Sequence, residues 1–231
     1  MAPGPSSPAR AARRIDFHSH SYLSDGVTSA TDMWNEAAAL AHRALALTDH
    51  ISLEDPRPML ARLHEEARAW EGTQFFPVVG VELTKVPARH IGPASAAARR
   101  AGAEIVIVHG ESIVENVPRG TNHAAIDSQE VDILAHPGLL DPRDAALAHD
   151  HGVTLEISAR RGHSLTNGHV AREAVRAGAA LVVDSDAHHP RDLVRLEQAR
   201  RIAIGAGLRA SEADRAILRT PAELLRRLRR S

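Results

Sequence analysis

The chain has 231 residues, 43% hydrophobic and 25% charged, with a formal net charge of −1, which suits one globular domain with a real core. The near-neutral balance disfavours nucleic acid and anionic membranes as partners. The absence of cysteine excludes disulfides, thiolate metal sites and a cysteine nucleophile, so any metal must be held by nitrogen and oxygen.

Residues 1–14, MAPGPSSPARAARR, lack the apolar stretch of a signal peptide and read as a disordered leader. No apolar run is long enough to cross a bilayer, so the expectation is a cytoplasmic protein with a single domain over 15–231. Short runs rich in Val, Ile and Leu predict strands near 15–20, 44–50, 77–83, 104–109, 131–136, 153–158 and 180–186, with a short eighth at 201–205. Helical patterns fill the gaps: 31–43 behind a Thr31 cap, 56–72, 93–102, 141–152, and 168–178 behind Thr166 and Asn167. A cap pair Ser211/Asp214 and a Thr220-Pro221 helix start predict two small C-terminal helices. The alternation predicts the α/β class and a (β/α) barrel of TIM-barrel type, whose site lies at the C-terminal ends of its strands.

Nine histidines and acids stand at those ends: His18, His20, Asp25, His50, Glu82, His109, His136, Asp186 and His188. Imidazole and carboxylate are ligands for zinc, manganese or iron. His18/His20 and Asp186/His188 are each two apart, so each pair falls on one strand face and can reach one ion. Nine ligands exceed the needs of one tetrahedral ion and suffice for two or three. His42, His64, His149 and His151 fall in helical patterns and read as solvated. Asp16, Asp49 and Asp184 neighbour the ligands and are candidates to orient imidazoles.

The motifs HSH at 18–20, SDG with Asp25, TDH with His50, GVE with Glu82, VHG with His109, AHPG with His136 and DSDAH with Asp186 and His188 resemble those of the PHP (polymerase and histidinol phosphatase) superfamily over about residues 15–210. The resemblance implies a distorted seven-stranded (β/α) barrel. It also implies up to three divalent ions. His18, His20, Glu82 and Asp186 would hold one, Asp25, His50 and His188 a second, and Glu82, His109 and His136 a third, with Glu82 bridging. The implied activity is hydrolysis of a small phosphomonoester, as in histidinol-phosphate phosphatases, by a metal-bridging hydroxide attacking phosphorus.

Phosphate also needs cations, and Arg160 and Arg161 follow the sixth strand. Arg160, Asp25 and His188 are the residues expected to act on the reacting group. Arg160, Arg161, His163, Glu111, Arg119, Asn122 and Asn167 are the expected substrate contacts. Other readings are a nucleotide phosphoesterase or 3′-exonuclease of the same family, and an amidohydrolase-type C–N hydrolase using Lys85, the one lysine.

Overall fold

A computed structural model describes residues 12–230. Residues 1–11 of the expected leader lie outside this range, and the leader ends earlier than the sequence suggested. Arg14 opens the first strand and is buried in an ion pair with Asp16 at 2.7 Å.

The chain alternates strand and helix: β1 (Arg14–Asp16), α1 (Ala30–Ala39), β2 (His42–Leu47), β3 (His50–Ile51), α2 (Arg57–Ala67), β4 (Phe76–Leu83), α3 (Ala88–Arg100), β5 (Ile105–His109), α4 (Thr121–Asp127), β6 (Ile133–Ala135), α5 (Pro142–His151), β7 (Thr154–Ser158), α6 (Asn167–Ala177), β8 (Leu181–Asp184), α7 (Leu196–Gly205), α8 (Ala210–Asp214) and α9 (Thr220–Leu228). The strands pair in parallel in the order β1-β2-β4-β5-β6-β7-β8, with the two-residue β3 added beside β4. This is a nearly closed barrel of seven parallel strands, the expected distorted TIM type.

Strand alternation sorts the side chains. Ala44, Ala46, Val78, Ile105, Ile107, Ile133, Ala135 and Val182 fill the interior with Ile15 and Phe17, while Leu224 and Leu225 of α9 plug the bottom. The intervening Leu45, Leu47, Val79, Val81, Val106 and Val108 face the helices. Gly80 belongs to the inward set because a Cβ there would stand 2.4 Å from Ile105. The same parity carries Glu82 and His109 into the mouth.

β1 and β8 do not form a ladder. The seam between them is held by an isolated Ser19–Ala187 bridge and by buried polar groups. Asp184 Oδ1 accepts from Phe17 N at 2.9 Å, Asp16 Oδ1 accepts from Ser185 N at 3.1 Å, and Arg14 donates to Val183 O at 2.9 Å. Asp16 and Asp184 therefore brace backbone. So does Asp49, which accepts from the N–H and hydroxyl of Ser21 and the hydroxyl of Ser24. None of the three orients an imidazole, as the sequence had suggested.

Four local expectations are corrected. Residues 201–205 end helix α7, where Ala199 and Ala203 are buried at i, i+4 spacing, and add no strand. Ser29, not Thr31, caps α1. Thr220 is not a cap, because the chain runs from α8 into α9 through a π-helical turn at Arg215–Arg219. That wider turn tolerates the N–H that Pro221 cannot donate. His42 is also no solvated helix residue: it is buried in β2 with Nε2 against Val194 O at 3.1 Å.

Candidate metal centre

The barrel mouth collects all nine sequence-marked ligands, though not all on strands. His50, Glu82 and His109 lie within β3, β4 and β5. The others stand on the backbone just beyond the ladder. Ser19 pairs with Ala187 and sends His18 and His20 toward Asp186. His136 and Asp186 have φ of 26° and 50°, a region non-glycine residues enter at a cost of about 1–3 kcal/mol and one typical of functional sites.

Glu82 is the hub. Its Oε2 lies 3.2 Å from His18 Nε2, 3.5 Å from His20 Nε2 and 2.8 Å from His50 Nδ1, and its Oε1 lies 3.7 Å from His136 Nε2. Asp186 is a second hub, 3.4 Å from His20 Nε2 and 3.7 Å from His136 Nε2. Asp25 completes an outer group, 3.0 Å from His188 Nε2 and 3.5 Å from His50 Nε2. Ligands on a tetrahedral ion with bonds of about 2.0–2.1 Å stand about 3.3–3.4 Å apart, whereas good N–H···O bonds are mostly about 2.7–3.2 Å. The separations of His20 from Glu82 and Asp186 and of His50 from Asp25, 3.4–3.5 Å, lie close to the edges of a coordination shell, while those at 2.8, 3.0 and 3.2 Å are hydrogen-bond lengths. Nε2 of His18, both ring nitrogens of His20, both oxygens of Glu82 and Nδ1 of His136 are buried without a hydrogen-bond partner. Buried polar atoms are rarely left so, and a set of lone pairs aimed at common points fits divalent ions. Groups able to hold one are His20–Asp25–His50–His188, His18–His20–Asp186, His109–His136–His163 and His18–His136–Glu156.

Without metal the charges are tightly opposed. Burial depresses His18, but Glu82, Glu156 and Asp186 raise its pKa well above the usual imidazole value. His50 is likewise carried to about 10, against burial, by Glu82 and Asp25. Burial brings His20 down to about 4 and His136 well below its ordinary value. Burial favours neutral carboxyls, yet His18 and His50 hold Glu82 far down, and His18, His20 and His136 do the same for Asp186. The carboxylates thus stay ionised where a cation would be bound.

A cavity of about 270 Å³ opens over this centre, walled by Asp25, His50, Lys85, Glu115, Arg160 and His188 among others. Arg160 donates to His188 Nδ1 at 2.7 Å and to Asp186 O at 3.1 Å. Arg161 is exposed on an adjoining cavity. Arg119 is exposed and lines neither. Asn122 and Asn167 are corrected as substrate contacts, because their amide groups are spent inside the protein, and Glu111 turns one oxygen to the backbone of its own loop. Glu111 accepts from Gly120 N and Asn122 N, Asn122 bridges Glu111 N and Pro137 O, and Asn167 pairs with the N–H and C=O of Ser158. His163 is buried beside His109 and His136.

Two carboxylates escaped the sequence reading. Glu156 stands 3.3 Å from His18 Nδ1 and accepts from His136 N at 2.9 Å. A carboxylate inside the apolar strand TLEIS was its signal. Glu115, on the loop after β5, lies 3.4 Å from His109 Nε2, and nothing in its neighbourhood marked it.

A family model described as PHP domain matches residues 16–194. The chain is 39% identical over 219 residues to an uncharacterized protein of Methanocaldococcus jannaschii, covering 93% of this chain and all of that one. Its fold is similar to that of histidinol phosphate phosphatase from Lactococcus lactis, solved with zinc, L-histidinol and phosphate. That match has a TM-score of 0.61 at 14% identity, covering 85% of this chain and 95% of that one. The fold is also similar to that of A. niger ochratoxinase, with a TM-score of 0.62 at 10% identity and coverage of 92% and 71%. With the family model spanning most of the chain and the mouth built as a set of metal ligands, this chain belongs to the PHP domain family as a metal-dependent hydrolase of that type.

Proposed function

We propose that the protein is a phosphoesterase that releases phosphate from a small phosphomonoester, in the manner of a histidinol-phosphate phosphatase, and works in the cytoplasm. The observation that carries this reading is the merging of several ligand groups through Glu82 and Asp186 beneath a cavity walled by Arg160. Two or three divalent ions, zinc, manganese or iron, would supply Lewis acidity toward a phosphoryl group and toward water. His18, His20, Glu82 and Asp186 would hold one, Asp25, His50 and His188 a second, and His109 and His136 with Glu82 a third. The fold-matched Lactococcus lactis phosphatase, solved with zinc, L-histidinol and phosphate, supports the phosphatase reading.

The chain's own residues supply position and charge. Arg160, His188 and Asp25 form a continuous line of contacts, 2.7 and 3.0 Å long, along one wall. The guanidinium is held at two points and remains one-third exposed, so its free N–H groups face the space a phosphate would occupy. Asp25, 57% exposed, stands at the rim where the leaving group exits. Among the described residues no helix is long and apolar enough to cross a membrane.

A phosphate-release assay over a panel of phosphomonoesters, histidinol phosphate and nucleotides included, tests this reading. Turnover is expected to vanish on chelation and to return with zinc, manganese or iron. Full activity after verified stripping of metal would refute it. A second reading, cleavage of a C–N bond, is favoured by Lys85 lining the same cavity and by a likeness in fold to an amidohydrolase solved with bound zinc, with a TM-score of 0.61 at 12% identity. Amide cleavage without phosphate release would select it.

A further inference from the structure

The third ligand group extends beyond the family motifs. His163, on a short helical turn (His163–Thr166) before α6, is 5% exposed. Its ring stacks on that of His136 with centroids 4.0 Å apart and meets His109 edge-on at 5.8 Å. The Nδ1 atoms of His109 and His163 are both engaged, one with Gly110 O at 3.1 Å and the other with the Ser112 hydroxyl at 2.7 Å. Such an outer hydrogen bond fixes which ring nitrogen of a metal-bound histidine is presented. Here it leaves both Nε2 atoms free, and both face Glu115, at 3.4 and 3.5 Å. His163 Nε2 is also 3.8 Å from Asp186 Oδ2, which lies 3.7 Å from His136 Nε2. The two Glu115 separations exceed good hydrogen bonds and lie close to the edges of a tetrahedral shell, about 3.3–3.4 Å for bonds of about 2.0–2.1 Å, whereas the Asp186 separations are longer and leave that carboxylate to the first ion.

We propose that His163 and Glu115 are further ligands of the third divalent ion, added in this chain to His109, His136 and Glu82. His109, His136, His163 and Glu115 border the same cavity as Asp25, His50 and His188, with Glu115 on its exposed side. His163 passes from the substrate contacts to the metal shell. The proposal relies on the metal-dependent hydrolase reading for the ions themselves, and not on the identity of the substrate.

The test counts ions. Wild type, His163→Asn and Glu115→Gln are stripped, reloaded with zinc, desalted and measured by mass spectrometry, with stepwise affinities from competition by a chromogenic chelator. Wild type is expected to hold three zinc ions and His163→Asn two. Glu115→Gln is expected to hold the third at least about 10-fold more weakly, the scale on which perturbing such a shell acts. Glu115 is on a half-exposed loop, so its variant keeps the test decisive if His163→Asn does not fold. Unchanged zinc count and affinity in Glu115→Gln, or in a folded His163→Asn, would overturn the proposal. Wild type retaining fewer than three ions would overturn it too. Three zinc ions with no phosphate released from any ester would sink the phosphoesterase reading and leave this one standing.

Discussion

Glu156 shows how much of the centre depends on residues outside the nine motif positions. It meets His18 Nδ1 with both oxygens at 3.3 Å and receives the backbone N–H of His136, so one buried carboxylate fixes ligands from β1 and β6. Burial, ahead of the opposing pull of His18, raises its pKa. Glu156→Gln keeps the shape but weakens the acceptor. We expect zinc affinity to fall about 10- to 100-fold with the fold intact, measured by chelator competition alongside circular dichroism. Unchanged affinity would reduce Glu156 to a space-filling role. Eight of the nine candidate ligands were legible because each closes an apolar run, where a polar side chain must have a reason to be, and Asp25 because it sits in a turn just past the first of them. Asn122 and Asn167 were misread because a polar loop residue looks alike whether it binds substrate or braces backbone. Glu115 comes near His109 and His163 only through the path of its loop, which local pattern does not encode.

The elements were legible by period and less so by boundary. Strands such as 104–109 and 153–158 matched because their inner and outer faces are both buried, giving unbroken apolar runs. Strands one and eight were read too long because the ligands continue the extended chain past the last ladder bond. The turn after β6 shows what such extensions need. Gly138 has φ of 67°, and a Cβ there would lie 1.9 Å from Glu111 O. Gly138→Ala combines left-handed strain with overpacking, so we expect a loss on the order of 3 kcal/mol, read from urea denaturation, together with displacement of His136. Wild-type stability in this variant would mean that the turn is free to reshape.

Across the whole molecule, His42 ties acid stability to the barrel seam. Burial first, and the neighbouring Arg14 next, bring its pKa down to about 4. The unfolded chain takes up a proton near pH 6.5, which the folded chain refuses until about pH 4. Stability attributable to this residue is therefore constant above about pH 6.5 and falls as pH drops through that window, by about 3 kcal/mol in all. In chelator-treated protein, His42→Gln should show a shallower decline of unfolding free energy between pH 7 and 4.5 than wild type. Equal slopes would contradict the assignment. The fold class was legible from the βα alternation, but the seam was not. It depends on Arg14, Asp16 and Asp184 meeting partners 167 to 169 positions away, which no local pattern encodes.

That seam has a thermodynamic corollary. β1 and β8 share no ladder, yet His18 and His20 just past the first strand converge on Asp186 just past the last. An ion gripped by both would act as a clasp between the first and last strands of the barrel. Its binding energy then also closes the barrel, so scarcity of metal would weaken the whole architecture as well as silence the chemistry.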